Sequence, residues 1–218
     1  MARLARVVMP GVPHHMTQRG NRGQQVFFGN EDYTIYKTLL AEGCREARVA
    51  VWAYCLMPTH VHLILRPGNE DGLRTALGEA HRRYTRHVNL REGWRGYLWQ
   101  GRFSSFPMDE EHVLRCARYV ELNPVQTKLV RQPRDWRWSS ARAHLAGRDD
   151  GLVQVAPLLA LAHNWKAFLS RPLASDEIEE IRSRERTGRP LGAARFVSRL
   201  EKKLGRILAP QKRGPKPR

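Results

Sequence analysis

The chain has 218 residues, 41% of them hydrophobic, and its 38 Lys and Arg against 21 Asp and Glu give a formal charge of +17. That length and composition allow one packed domain with an appendage or two small ones, and the charge attracts polyanions, which makes a purely structural role strained. No stretch approaches the roughly 20 apolar residues of a membrane-spanning helix. Pro and His interrupt the N-terminal segment too early for a signal peptide, so a cytoplasmic, nucleoid-associated protein with nucleic acid as partner and no membrane attachment is expected. Cys44, Cys55 and Cys116 form no CxxC pattern. They are expected as small core residues, not as a zinc site or a disulfide framework.

Residues 12–19 alternate loosely before the turn-like GNRG and read as a strand. Tyr33, Tyr36, Leu39 and Leu40 recur at helical spacing after Asn30, which predicts a helix over 31–47. VAVWAYCLMP and VHLILRP, rich in β-branched and aromatic residues, are read as an antiparallel pair joined tightly through Pro58-Thr59. A helix over 70–90 carries Leu73, Leu77 and Tyr84 on one side and a basic surface on the other. A strand over 103–108 follows, then a helix from Asp109, acidic in its first turn and expected to stop at Pro124. The first six elements match a ferredoxin-like, split βαββαβ α+β fold: an antiparallel sheet with helices on one face, the other face and one edge left for a ligand.

Residues 131–147 are expected to close this unit, giving a first domain over 1–148. Residues 149–218 read as a basic helical C-terminal region with helices over 156–169, 175–186 and 192–208. The turn TGRPLG between the last two suggests a helix-turn-helix-like module for docking duplex or hairpin DNA. The tail QKRGPKPR reads as disordered until it meets a partner, in the manner of a minor-groove arm.

Two short motifs carry chemistry. His60 and His62 are two apart on a strand, so their imidazoles project from one face, pre-aligned for one metal ion. Tyr119 and Asn123 are four apart on a helix and share a face. A phenol with an ordinary pKa near 10 is a weak nucleophile, and a divalent cation offsets this by polarising a phosphoryl oxygen. An asparagine carbonyl suits Mg²⁺ or Mn²⁺, so His60, His62 and Asn123 form a candidate ligand set. Taken singly, each motif has an ordinary alternative: strand histidines, a packed tyrosine and a helix-capping asparagine.

The blocks MPTHVHLIL, RRYTRHVN, GYLWQGRFSS, YVELNPV and DWRWSS, in that order over roughly residues 10–142, resemble the REP-associated tyrosine transposases, bacterial relatives of the single-tyrosine HUH transposases. The resemblance implies metal ligands at His60, His62 and Asn123 and a nucleophile at Tyr119. It implies cleavage of single-stranded DNA at palindromic repeats that fold into hairpins, giving a 5′-phosphotyrosine and a free 3′-hydroxyl that can later rejoin the strands. Where many relatives have a basic-Ala-Gly turn after NPV, this chain has Gln126-Thr127-Lys128. A rival nucleophile, Tyr84, lies among Arg82, Arg83 and Arg86, whose charge favours a phenolate. Its place in the family pattern is that of a packing or DNA-contacting residue.

For DNA contact the candidates are Arg19, Arg22, Arg82, Arg83, Arg86 and Arg102, with Trp99 and Phe103 as rings for stacking on unpaired bases or as sheet core. The oligomer is expected to be a monomer or a homodimer. Two other readings stay open at this level: a repeat-DNA-binding protein derived from a transposase that no longer cuts, and an RNA-binding sheet of the same topology, which lacks an RNP-like run of aromatics here.

Overall fold

The structure, a computed structural model, describes residues 6–209. The expectation for the QKRGPKPR tail falls on residues 211–218, outside the described residues. The first six elements are β1 (His14–Arg19), α1 (Asn30–Glu46), β2 (Val49–Met57), β3 (His60–Pro67), α2 (Gly72–Glu92) and β4 (Ser104–Pro107). They form one four-stranded antiparallel sheet in the order β2-β3-β1-β4, the arrangement expected of the split βαββαβ unit.

The pleat sends alternate side chains to opposite faces, and the two faces are chemically different. Val61, Leu63 and Leu65 of β3, with Met16 of β1, pack under α1 and α2 in the larger core. Ile64 of β3 and Phe106 of β4 belong to a second core on the opposite face, under α3 (Glu110–Gln126). A bulge at Trp52, between Val51 and Ala53, shifts the β2 register so that Ala53, Cys55 and Met57 join this second core. All three cysteines are buried and free.

The second face is therefore not left open as expected: α3 covers part of it, with further helices beyond. The position of α3 is set by Glu121, whose fully buried carboxylate accepts hydrogen bonds from the Ser140 hydroxyl (2.5 Å), His144 Nδ1 (2.7 Å) and the Trp165 indole (2.8 Å). These partners lie just before α4 (Ala141–Ala146), within it, and in α6 (Trp165–Ser170). One carboxylate thus ties three parts of the chain together.

Pro124 does not stop α3, which runs on to Gln126. A proline in the last turn is tolerated because the chain closes the helix just after it: the Thr127 amide reaches the Asn123 carbonyl at 3.0 Å, and the Leu129 amide reaches that of Pro124 at 2.9 Å. The reversal is made by Lys128 at φ 60°, a left-handed conformation that glycine adopts without steric cost.

Beyond residue 149 the chain returns to the same sheet. The region expected as one helix over 156–169 is two, α5 (Ala156–Leu161) and α6, because Asn164 caps the second by accepting from the Ala167 amide at 2.9 Å. α7 (Ser175–Thr187) packs on β4 and α3, and Leu191 pairs with the Pro107–Asp109 edge. α8 (Ala194–Leu204) packs its Phe196 and Leu200 with Val7 and Met9. The two helices are thus seated on different parts of the molecule, in place of the expected helix-turn-helix pair. Among the described residues no helix is long and apolar enough to cross a membrane.

Two stability measurements follow from this packing. Glu121→Ala leaves the buried Ser140, His144 and Trp165 donors without their acceptor and is expected to lower folding stability by about 3–5 kcal/mol in urea denaturation. Lys128→Gly removes the left-handed penalty and is expected to raise stability by about 0.5–1 kcal/mol; a loss in the same assay would show that the Lys128 side chain holds the turn.

Candidate active site

The site begins at the two-residue turn between β2 and β3, where Met57 pairs with His60 and Pro58-Thr59 close the hairpin. The turn is pinned from the far side. The Thr59 carbonyl accepts from the Gly20 amide and the Pro58 carbonyl from the Val26 amide, each at 2.8 Å. A Cβ on Gly20 would stand 2.2 Å from the Gln24 carbonyl oxygen, so only glycine fits where this loop folds back. His60 and His62 are thereby fixed at the start of β3.

Antiparallel pairing then sets their neighbours: Arg19 lies opposite His60, Thr17 opposite His62 and His15 opposite Ile64. From above, α3 lowers Tyr119 and Asn123 onto the same spot. The Tyr119 ring centroid is 5.4 Å from that of His62, at an interplanar angle of 87°, and the Asn123 amide nitrogen is 3.4 Å from His62 Nε2. The rings of His60 and His62 lie 4.9 Å apart. The four residues singled out in the sequence for chemistry therefore meet in one place.

The structure adds residues that sequence reasoning missed. His15 stacks on His62 with ring centroids 5.4 Å apart and its Nε2 3.3 Å from His62 Nδ1. From α7, Glu185 brings Oε1 to 3.6 Å from His62 Nδ1 and 3.8 Å from His15 Nδ1. One turn earlier, Arg182 hydrogen-bonds the Tyr119 phenol. Nothing local in the sequence marks these residues: His15 depends on strand register, and Glu185 lies in a charged helix remote from every motif.

Burial holds the His15 imidazole down to about 3. Burial, aided by Arg19, holds His60 down to about 4. His62 lies well below the ordinary value through burial and the neighbouring His60, His15, Arg19 and Arg182. All three rings are therefore neutral near pH 7, the form that binds metal. Burial and the Glu185 charge push the Tyr119 phenol up to about 12, against the Arg182 hydrogen bond that lowers it. Burial raises the Glu185 carboxyl to about 7, opposed by Arg19, Arg182 and Arg186.

The residues present fit a divalent cation. Asn123 Oδ1 is buried with no hydrogen-bond partner, and its amide N–H faces His62 Nε2, which must then be the unprotonated nitrogen of the ring. A neutral imidazole nitrogen and an orphaned amide oxygen are a hard-cation donor pair already side by side.

Beside these groups an open cleft of about 560 Å³ is lined by Thr17, Gln18, Arg19, His60, His62, Gln100, Arg102, Ser104, Glu185 and Arg186. Arg19 and Arg102, expected as DNA contacts, thus lie at the site. Arg22 is exposed in the loop after β1. Arg82, Arg83 and Arg86 lie on the outer side of α2, which packs on the opposite face of the sheet, and two of them are paired: Arg82 with Glu79 and Arg83 with Glu42, both at 2.7 Å. Trp99, expected as a stacking ring, is 6% exposed and packs among Tyr36, His81 and Tyr84, and Phe103 is 9% exposed. The exposed rings of that segment are Trp94 at 43% and Tyr97 at 86%. Tyr84, the rival nucleophile, is fully buried in the α1–α2 core and donates its hydroxyl to the Val26 carbonyl at 2.7 Å. Burial raises its pKa far above the ordinary value, with Asp32 adding to the shift, so the nearby arginines do not activate it.

A solved structure of a REP-associated tyrosine transposase bound to a REP hairpin has a similar fold, with a TM-score of 0.59 and 21% identity over 71% of this chain and 92% of the other. A second, named as a candidate transposase of Deinococcus radiodurans R1, matches at a TM-score of 0.39 and 21% identity over 55% of this chain and 96% of the other. A comparison with curated proteins found no match. The family profile described as "Transposase IS200 like" matches residues 11–123, just over half of the sequence, from the start of β1 through Tyr119 to Asn123. The chain belongs to the IS200-like transposase family.

Proposed function

We propose that this protein cleaves and rejoins single-stranded DNA at hairpin-forming repeats, with Tyr119 as nucleophile and His60, His62 and Asn123 as holders of Mg²⁺ or Mn²⁺. The observation that carries the reading is the convergence of Tyr119 and Asn123 from α3 with the two β3 histidines beside an arginine-lined cleft. The hairpin substrate is supported by the REP hairpin in the solved relative and by the blocks shared with that family. On this reading the first domain, residues 1–148, holds the reacting groups, and residues 149–209 of the C-terminal region close over them.

In the cleavage step the Tyr119 oxygen attacks phosphorus, the bond from phosphorus to the 3′ oxygen breaks, and that oxygen leaves as a hydroxyl after taking up a proton. The phenol gives up its own proton as the 5′-phosphotyrosine bond forms. Attack by a 3′-hydroxyl on this linkage reverses the exchange and joins strands. A divalent cation, when bound, supplies Lewis-acid polarisation of the scissile phosphate. The Arg182 hydrogen bond favours the phenolate, countering the burial that otherwise holds the phenol protonated. Arg19, Arg102 and Arg186 draw the sugar–phosphate chain into the cleft.

The test is cleavage of end-labelled hairpin DNA with Mn²⁺ and with EDTA. Tyr119→Phe is expected to abolish the covalent adduct while binding is kept. Tyr84→Phe is expected to retain the adduct and lose only about 1 kcal/mol of stability, the worth of its bond to Val26. Loss of the adduct in a folded Tyr84→Phe instead would assign the nucleophile to α2. Binding is also expected to weaken with salt at a log–log slope of about −0.7 per phosphate neutralised, so roughly −3 for four contacts, and a slope near zero would rule out the arginine-lined cleft as the DNA path.

A further inference from the structure

His62 uses its two ring nitrogens differently. Nε2 accepts from the Asn123 amide at 3.4 Å and is the lone-pair side, so the proton sits on Nδ1. That proton points at His15 Nε2, 3.3 Å away. His15 Nε2 must then be the acceptor, which places the His15 proton on its own Nδ1, and the Glu185 Oε1 oxygen lies 3.8 Å from that atom. His15 Nδ1 and Glu185 Oε1 are both buried without a hydrogen-bond partner, and Oε1 lies slightly nearer to His62 Nδ1, at 3.6 Å. The three ligand-type atoms lie within 4.8 Å of one another, and Glu185 is the one carboxylate lining the cleft among the described residues.

The placement of Glu185 is built, not incidental. The Ser104 hydroxyl of β4 donates to the Glu185 carbonyl. Below Glu185, α7 is held by buried Ile181 and by Glu177, which Arg118 of α3 approaches at 3.2 Å. After α7, Leu191 pairs with the β4 edge, its amide donating to the Pro107 carbonyl at 2.9 Å.

We propose that His15 and Glu185 together face the Nδ1 side of His62 and fix its tautomer and orientation, so that the C-terminal region supplies the outer support of the metal centre. The inference rests on the metal-binding reading above. A ligating imidazole whose second nitrogen faces a carboxylate, here together with a second imidazole, is held in the form and pose that coordinates. Glu185 is thus a positioning residue that acts on the His62 imidazole, beside His15.

The experiment is Mn²⁺ titration of the full chain, followed by electron paramagnetic resonance, with thermal melting as control, for wild type, Glu185→Ala, Glu185→Gln, His15→Phe and His62→Ala. Glu185→Ala and His15→Phe are each expected to weaken Mn²⁺ binding by roughly 10–100-fold. Glu185→Gln keeps an oxygen acceptor and is expected to fall between Glu185→Ala and wild type, and it decides the matter if the alanine variant fails to fold. Wild-type affinity in both Glu185 variants, with binding lost in His62→Ala, would overturn the role of Glu185 and leave the metal reading standing. Loss in Glu185→Ala without loss in His15→Phe would overturn the part assigned to His15, because the carboxylate would then hold His62 without it. A wild type that binds no Mn²⁺ would remove the metal reading and this inference with it.

Discussion

The cleft depends on where α3 lies against the sheet, and that is fixed from behind by the buried carboxylate of Glu121. Glu121 stands midway between Tyr119 and Asn123, so at about 100° per residue it points away from both. Its anchoring to Ser140, His144 and Trp165 therefore presses the opposite face of the helix onto His62. A buried carboxylate is costly unless fully hydrogen-bonded, and here three donors meet it. Such a network adds definition more than net stability: an apolar residue could fill the space, but it would not hold the helix to one rotation and one height.

The electrostatics of the site contrast with those of the chain. A protein with a formal charge of +17 keeps three neutral imidazoles at the bottom of its cleft and places arginines at its walls. The division is physically consistent. Buried rings lose their charge because burial penalises the protonated form, and this preserves the lone pairs that a cation needs. Exposed guanidiniums keep their charge and attract phosphate over longer distances. The Tyr119 phenol is pushed up to about 12, so it is held protonated near pH 7.

The C-terminal region is more closely tied to this chemistry than an appendage would be. α7 crosses the second face of the sheet with Arg182 on the phenol and Glu185 beside the histidines. The backbone pairing of Leu191 with the edge beside β4 extends the sheet at the point where α7 ends.

The βαββαβ order and the pairing of His60 with His62, and of Tyr119 with Asn123, were legible in the sequence because they rest on local periods: two residues in a strand and nearly four in a helix. The overrun of α3 past Pro124 was not, since it depends on the reversal made by Lys128 four residues later. Trp99 reads from the sequence as a ring free for bases, but the tertiary structure packs it against Tyr36, His81 and Tyr84, because α1 and α2 close over it. Tyr84 likewise reads from its sequence neighbours as activated, yet on a helix adjacent residues point in different directions, and its own face is the buried one. Only the fold decided that His15 stands beside His62 and that Glu185 reaches both. The first is a matter of register between strands more than 40 residues apart, and the second of a helix more than 120 residues from His62. No local pattern encodes either distance, because such contacts arise from the packing of whole elements.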